Sequence, residues 1–213
     1  WMRLMIDAHH DEAVRSGAKI VHTCGFDSIP SDLGVHFLQA AMHARQGRPA
    51  EQVKYRLVKA AGGVSGGTIA SMLNMMDEVA EDPKLLTVIA DPYALNPVNT
   101  VTGQDVNEAA TPIYDDVLGQ WVGPFVMAGI NTRVVRRSHA LLGMPYGPGF
   151  SYEEGTLIGA GPTGYLKALM ASIGTRFGTL LSAVGPTRRL LARFLPKPGE
   201  GPERAKREAG FFE

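Results

Sequence analysis

The spacing of hydrophobic residues predicts a helix, a strand and a second helix near the start of the chain. Residues 1–16 carry apolar side chains at roughly helical spacing, and Ser16-Gly17 would end that helix. Residues 19–24 are rich in β-branched side chains, which predicts a buried strand. A polar loop at 25–32 then leads into another amphipathic helix, so the order is half of a βαβ unit.

The pattern between residues 53 and 120 is less regular. Residues 53–60 alternate apolar and polar side chains, which predicts a half-exposed strand. The glycine-rich residues 62–68 precede a helix with an apolar face over 69–79. Residues 83–120 are rich in Pro, Asn and Asp, which predicts irregular structure with at most one short strand.

The remaining residues are predicted to end in a long apolar helix. The elements expected before it are strands at 121–130 and 132–135, a helix at 136–142 and a loop at 146–152. A 3.6-residue apolar period predicts the long helix over 165–184. Gly185-Pro186 interrupts it, a short basic helix follows, and residues 196–202 form a linker rich in Pro and Gly.

The charged residues divide the chain into an acidic and a basic half. The 213 residues hold 21 basic and 21 acidic side chains, so the formal net charge is zero. Residues 1–116 hold nine Lys and Arg against fifteen Asp and Glu, and residues 117–213 hold twelve against six. The zero net charge gives no reason to expect a nucleic acid as partner, and the split indicates two different surfaces.

Cysteine content and hydropathy predict a cytoplasmic protein without a membrane span. The single cysteine excludes an internal disulfide, which fits a reducing compartment. The longest run without charge, 60–76, is broken by four glycines, so no segment offers the roughly 20 apolar residues of a span. The apolar stripe at 165–195 has no acidic residue and suits a core, a homodimer contact, or peripheral contact with a membrane surface.

Both ends of the sequence predict an internal piece of a longer protein. It begins with Trp1 rather than Met, and residues 210–213 resemble the entry to a strand. Functions that need other parts of such a protein can be inferred only through resemblance to a family.

The polar loop before the second helix is the richest candidate for chemistry. Residues 26–32 contain two acids, two hydroxyls and a proline. Asp27 could position a substrate amine, hydroxyl or water, or orient a cofactor amide. Alternatively, Asp27 and Ser28 only cap the helix.

A second candidate is Ser65-Gly66-Gly67-Thr68, which begins the helix over 69–79. Its backbone N–H groups and two hydroxyls suit a phosphate, carboxylate or carbonyl oxygen. The competing interpretation is a helix cap by Ser65, with glycines that allow a tight turn.

Three other patterns are weaker. The string from Gly159 to Gly164 matches G-x-G-x-x-G, but Pro162 lies inside it and no acidic residue follows about 20 residues later, so a turn is favoured. The His and Cys residues lack the spacing of a metal site, and no metal is predicted. The arginines at 133, 136 and 137 could bind an anionic group or form salt bridges.

Residues 22–34, HTCGFDSIPSDLG, resemble the signature of saccharopine dehydrogenase-like oxidoreductases, specifically the branch that includes bacterial trans-acting enoyl reductases. Three further segments resemble the same branch: Ser65-Gly66-Gly67-Thr68, Arg136-Arg137-Ser138 and residues 195–202. In this order they cover nearly the whole chain.

The resemblance implies an α/β fold followed by an α+β fold. Residues 1–45 would be the C-terminal helix–strand–helix portion of a Rossmann-like dinucleotide-binding domain, whose phosphate-binding glycines lie outside this chain. Residues 46–195 would be an α+β domain for substrate binding and dimerisation, with a mixed sheet and helices. Residues 196–213 would be a Pro/Gly linker and the start of a truncated C-terminal segment.

The resemblance also implies an NAD(P)-dependent oxidoreductase, with NADP or NAD as cofactor. The enoyl reductase branch transfers a hydride to a carbon–carbon double bond of a lipid or polyketide-like product, and the apolar helices favour such a substrate here. The chain alone is expected to be inactive. The alternatives are a saccharopine dehydrogenase-type enzyme that acts at a carbon–nitrogen bond, and a non-catalytic lipid-associated protein with the same fold.

The resemblance assigns residues to the site in three groups. The cofactor-binding residues are expected to be Gly25, Phe26, Asp27 and Pro30, with Asp27 orienting the nicotinamide or a bound water. Ser28, Ser65 or Thr68 is expected to donate a hydrogen bond to the substrate carbonyl, so the catalytic set is Asp27, Ser28, Ser65 and Thr68. The substrate-binding set is Ser65, Gly66, Gly67, Thr68, Arg136 and Arg137.

Overall fold

A computed structural model describes residues 1–26, 28–63, 65–100, 103, 108 and 110–213. These residues form eight helices and six strands, so the protein is of mixed α and β class. The helices are α1 (Met2–Ser16), α2 (Ile29–Gln46), α3 (Gly66–Glu81), α4 (Leu85–Ala90), α5 (Ala128–Leu141), α6 (Gly161–Ala183), α7 (Gly185–Ala192) and α8 (Arg204–Glu208). The strands are β1 (Gln52–Leu57), β2 (Ala60–Ala61), β3 (Ile113–Asp115), β4 (Gln120–Gly123), β5 (Ser151–Gly159) and β6 (Phe211–Phe212).

The contacts within the chain define two compact units that interleave along the sequence. Unit 1 comprises Trp1–Tyr55, Asp91–Glu108 and Val126–Glu154. Unit 2 comprises Arg56–Ala90, Ala109–Phe125 and Gly155–Glu213. The linear domain boundaries proposed from the sequence stay predictions.

Unit 1 has an apolar core between helices and the first part of a sheet. Helix α2 packs on α5. The Ser151 N–H donates to the Glu51 carbonyl at 2.8 Å, beside the starts of β5 and β1. The buried core residues are Val35, Val53, Val135, Phe150 and Tyr152.

Unit 2 contains antiparallel strand pairs with helices packed on them. The β3–β4 and β4–β5 pairs are antiparallel. The four-stranded sheet has the order β1-β5-β4-β3, and most of β1 and the start of β5 belong to unit 1. Helix α6 packs on β4. The short strands β2 and β6 pair antiparallel, with Ala60 opposite Phe212, which confirms the predicted strand entry at the end of the sequence.

The predicted strand at residues 19–24 is wrong. Residues 18–24 belong to no helix or strand, and both sheets of the described residues are built from other segments. A strand requires a neighbour to complete its backbone hydrogen bonds, and a β-branched composition does not supply one. The Rossmann-like assignment of residues 1–45 therefore stays an expectation.

The predictions for residues 128–135 and 146–152 also need correction. Residues 128–135 are helical and belong to α5, whose buried positions are Ala128, Asn131, Thr132, Val135, Arg136 and His139. These positions have helical spacing, but most are polar, so a search for apolar periodicity misses them. The predicted loop at 146–152 ends earlier, because β5 begins at Ser151.

The described helices do not include one with the length and hydropathy that crossing a membrane requires.

Candidate functional site

A cavity of about 390 Å³ lies within unit 1. It is formed by α1, residues 20–24, the start of α2 and one face of α5. Its apolar walls consist of Met2, Ile6, Ile20, Val21, Ile29, Leu33, Leu95, Val134 and Leu141. Its polar lining consists of His22, Thr23, Cys24, Ser28, Asp32, Arg137 and Ser138. A mostly apolar cavity with a few convergent polar groups is the usual form of a small-molecule site.

Asp32 and Ser138 form a polar pair at the cavity wall. The Ser138 hydroxyl donates to Asp32 Oδ2 at 2.9 Å and so connects α5 to the start of α2. Burial raises the pKa of Asp32. The hydrogen bond from Ser138 and the nearby His36 lower this pKa, but by less than burial raises it. The pair fixes the carboxyl group in place.

Arg137 supplies the cationic group of the cavity. It is half-buried, and one of its N–H groups donates to the Leu95 carbonyl. Burial lowers the pKa of its guanidinium, and Arg3 adds to this effect. A guanidinium has five N–H donors, so Arg137 can also donate to a ligand oxygen.

Thr23 lines the cavity with an unusual backbone conformation. Its φ is 55°, in the left-handed region that β-branched residues rarely adopt. Such strain is commonly found at ligand sites.

Ser28 connects the cavity to a network of buried polar side chains. Its hydroxyl donates to Asn131 Oδ1 at 2.8 Å, and Asn131 Nδ2 donates to Glu154 Oε2 at 3.0 Å. Tyr152 donates to Glu154 Oε1 at 2.7 Å, and Ser31 also bonds with Glu154. All five side chains are almost fully buried.

The network holds the buried carboxyl group of Glu154 among neutral hydrogen-bond donors. Burial raises the pKa of Glu154, and the hydrogen bonds from Ser31, Tyr152 and Asn131 oppose that rise. Burial and the neighbouring Glu154 carboxylate raise the pKa of the Tyr152 phenol. The hydrogen bonds therefore stabilise the ionised form of Glu154, whereas the loss of water around its charge destabilises that form.

The predicted cofactor-binding residues lie around the start of α2. Pro30 is in the first turn of α2, Gly25 precedes that helix, and the Phe26 side chain is exposed. Of the predicted site residues, Ser28 and Arg137 line the cavity of unit 1. Asp27 lies outside the described residues.

Ser65, Gly66 and Thr68 belong to unit 2 and use their polar groups within the chain. Ser65 caps α3, because its Oγ accepts from the Thr68 N–H at 3.3 Å and lies 3.0 Å from Thr68 Oγ1. The Gly66 N–H donates to the Glu200 carbonyl at 2.9 Å. A Cβ on Gly66 would lie 1.8 Å from the Lys197 carbonyl oxygen, so this glycine is required by close packing. A ligand role for Ser65, Gly66, Gly67 and Thr68 stays a prediction.

Arg136 is buried and held by its surroundings. It donates to the carbonyls of Pro92 and Tyr152 at 3.3 and 3.4 Å, and its guanidinium lies 5.5 Å from the centre of the Tyr93 ring. These contacts fix residues 92–93 and β5 to α5. Its predicted substrate role stays a prediction.

Sequence reasoning missed Asn131, Tyr152 and Glu154. Asn131 fell between two predicted strands, and the other two fell at the border of a predicted loop. One signal was available for Asn131, because the buried and mostly polar positions between 128 and 139 recur with helical spacing. In the described residues, no group of three or more His, Cys, Asp and Glu side chains has the arrangement to hold a metal ion.

The comparisons with known proteins concern the whole chain. It is 37% identical, over a 226-residue alignment, to a protein of Mycobacterium tuberculosis (strain ATCC 25618 / H37Rv) that is named "Putative trans-acting enoyl reductase". That alignment covers 100% of this chain and 53% of the relative. The chain spans about half the length of the curated relatives it matches.

Two further relatives give the same result. Proteins named "Trans-acting enoyl reductase" from Mycobacterium bovis (strain BCG / Pasteur 1173P2) and Mycobacterium ulcerans (strain Agy99) are 34% and 33% identical, with 99% of this chain and 53% of each relative covered. No protein-family model matches the chain. No solved structure matches it either.

Proposed function

We propose that this chain is part of an NAD(P)-dependent enoyl reductase that acts on a lipid or polyketide-like substrate. The observation that carries the proposal is the sequence identity of 33–37%, along practically the entire chain, to proteins named as trans-acting enoyl reductases. The mostly apolar cavity of unit 1, with polar groups from α2 and α5, supports it as the place where an acyl chain would bind.

The cavity residues fit one end of a nicotinamide cofactor. About 390 Å³ admits a nicotinamide ring beside the first carbons of an acyl chain, but is small for a whole dinucleotide. When bound, the reduced nicotinamide would supply the hydride that saturates the carbon–carbon double bond.

The G-x-G-x-x-G string does not fit a dinucleotide phosphate. The fingerprint follows a parallel strand, whereas β5 pairs antiparallel with β4. Pro162 has no backbone N–H to donate to a phosphate. The string joins the end of β5 to the first turn of α6, and the phosphates of the proposed cofactor are not assigned to it.

Arg137 is the group of this chain that best suits the substrate carbonyl. A substrate whose double bond is conjugated to a carbonyl develops negative charge on the oxygen as hydride adds. A guanidinium in a mostly apolar cavity stabilises that charge more than it would in water. Arg137 is therefore expected to bind the carbonyl oxygen, and Asp32 and Ser138 to shape the wall beside it.

The test is an assay of the full product of the gene that encodes this chain. With NADPH and a trans-2-dodecenoyl thioester of N-acetylcysteamine, we expect NADPH oxidation and a saturated thioester product. Arg137→Met should lower kcat/KM by about tenfold or more. The matched control is Arg176→Met, an exposed arginine of α6 in unit 2, which should leave it unchanged. Turnover of an imine substrate instead of the enoyl thioester would favour the enzyme that acts at a carbon–nitrogen bond.

One observation favours the lipid-associated alternative as a second candidate. Five apolar side chains of α6 recur every three or four residues and are 51–63% exposed; they are Leu166, Met170, Ile173, Phe177 and Leu180. Lys167 and Arg176 are exposed on the same helix, which has no acidic residue. Such a helix suits the surface of an anionic membrane.

Flotation with vesicles of phosphatidylglycerol and phosphatidylcholine tests this candidate. Binding that Met170→Ser and Phe177→Ser abolish, without any response to NADPH, would favour the lipid-associated protein over the enzyme. Absence of flotation would exclude it.

A further inference from the structure

When Glu154 is ionised, the chemistry of the groups fixes the direction of the two hydrogen bonds that connect Ser28 to Glu154 through Asn131. An ionised carboxylate can only accept, so the NH₂ group of Asn131 must face Glu154. Asn131 Oδ1 then faces Ser28, and the single hydroxyl hydrogen of Ser28 is used to donate to it. Ser28 therefore has lone pairs, but no hydrogen, for a ligand in the cavity that it lines.

We propose that Glu154, acting through Asn131, makes Ser28 a hydrogen-bond acceptor at the cavity wall, so that the ligand group bound there carries an N–H or O–H. Glu154 and Asn131 are positioning residues, and Ser28 is the contacting residue. This assignment differs from the expectation that Ser28 donates to a substrate carbonyl. It rests on the proposed function, in which the nicotinamide carboxamide is a group with an N–H.

Protonation of Glu154 reverses the chain of hydrogen bonds. A neutral Glu154 can donate to Asn131 Oδ1, and the amide then turns its NH₂ toward Ser28. Ser28 would accept from Asn131 and could donate its own hydrogen into the cavity. The ionisation of Glu154 therefore decides whether the Ser28 hydroxyl accepts or donates a hydrogen bond in the cavity.

Among the described residues, three titratable groups interact with Glu154. Tyr152 lies on β5 and Tyr55 on β1, and Glu108 adds a further carboxylate. Burial and Glu154 raise the pKa of Tyr55 to about 12, and the same causes raise the pKa of Tyr152. Both phenols stay neutral near neutral pH, so neither phenol changes charge as the pH falls.

The first test follows the side-chain amide of Asn131 by NMR in the full gene product. Its ¹H–¹⁵N signals are assigned by their loss in Asn131→Asp, and pH is varied between about 4 and 8. The signals should shift in one step that Glu154→Gln removes and Ser28→Ala retains. A signal that does not respond to pH, or a step that persists in Glu154→Gln, would overturn the proposal.

The second test measures which ligand group Ser28 binds. The probes are NADPH and its 3-acetylpyridine analogue, in which a methyl group replaces the carboxamide NH₂, with the full gene product as protein. Wild type should bind NADPH about tenfold more tightly than the analogue. Ser28→Ala and Glu154→Gln should remove this discrimination, and the control Ser71→Ala, in α3 of unit 2, should keep it.

The two tests separate the failure of this inference from the failure of the proposed function. Full discrimination in Ser28→Ala or Glu154→Gln would overturn the inference while leaving the cofactor in place. If neither dinucleotide binds, the proposed cofactor is wrong, and the titration of Asn131 still decides whether Glu154 sets the direction of the Ser28 bond.

Discussion

The polar network of unit 1 and the helix α6 of unit 2 place their side chains in opposite ways. Unit 1 buries Asn131, Tyr152 and Glu154 almost completely and gives each of them hydrogen-bond partners. Unit 2 leaves the apolar stripe of α6 more than half exposed, while the opposite face of α6 is buried at Gly164, Ala168 and Ser172. The first arrangement gives specific geometry at a cavity, and the second gives an apolar surface.

The difference has consequences for stability. A buried carboxylate loses its hydration, and only complete hydrogen bonding compensates for that loss. An exposed apolar side chain has little packing to lose. Substitutions in the network of unit 1 should therefore cost far more than substitutions on the stripe of unit 2.

The largest effect is expected for Glu154→Ala. It leaves the donors of Ser31, Tyr152 and Asn131 without their acceptor in a buried place, so the free energy of unfolding should fall by about 3–5 kcal/mol. Urea unfolding of wild type and of Glu154→Ala measures this difference in free energy. A loss below about 1 kcal/mol would mean that water or a shifted side chain replaces the carboxylate.

Gly66→Ala should have the next largest effect, in unit 2. The new methyl group would lie 1.8 Å from the Lys197 carbonyl oxygen, whereas a Cβ on Gly67 would meet only Ser65 Oγ at 3.8 Å. We expect Gly66→Ala to destabilise the protein by about 2 kcal/mol and the matched control Gly67→Ala to have little effect. Equal costs for the two variants would contradict the packing of residues 196–200 on the start of α3.

His139 should make stability depend on pH below about 6.5. Its Nε2–H donates to the Gly147 carbonyl at 3.1 Å, and its Nδ1 is buried without a partner among the described residues. Burial lowers the pKa of His139, so the unfolded chain binds the proton more readily than the folded chain. The contribution of neutral His139 to folding stability is complete above the unfolded pKa of 6.5. This contribution is lost as the pH falls toward the lower pKa of the folded state.

The measurement compares wild type with His139→Gln at several pH values. Below pH 6.5, wild type should lose stability relative to the variant by up to about 1 kcal/mol for each pH unit. Parallel curves for the two proteins would show that His139 does not cause the dependence.

The smallest effect is expected on the stripe of α6. Met170 is 62% exposed, so Met170→Ser should change the free energy of unfolding by less than about 0.5 kcal/mol. A larger loss would show that the stripe is covered in solution, and the mass of the protein by light scattering would then show whether a second copy covers it.

The sequence predicted the elements that rest on local apolar spacing. The predicted helices at 1–16 and 165–184 correspond closely to α1 and α6. The turn predicted over 159–164 is shorter than expected, because β5 ends at Gly159 and α6 begins at Gly161. The helix α5 was predicted in part as strands, because its buried face includes Asn131, Thr132, Arg136 and His139 rather than apolar residues.

The candidate site could be predicted only in part for a related reason. Ser28 and Arg137 were identified because they lie in segments with a family resemblance. The partners Asn131 and Glu154 are 103 and 126 positions away from Ser28 along the chain. Their contacts depend on how α2, α5 and β5 pack, which no local pattern specifies.

The most direct test of this account locates the bound ligand by methyl NMR. NADPH and the dodecenoyl thioester are added to the full gene product labelled at the methyl groups of Met and Ile. The signals of Met2, Ile6 and Ile20, which line the cavity of unit 1, should shift, and those of Met170 and Ile173 on α6 should not. Shifts confined to Met170 and Ile173, or no shift at saturating ligand, would contradict the assignment of the unit 1 cavity as the site.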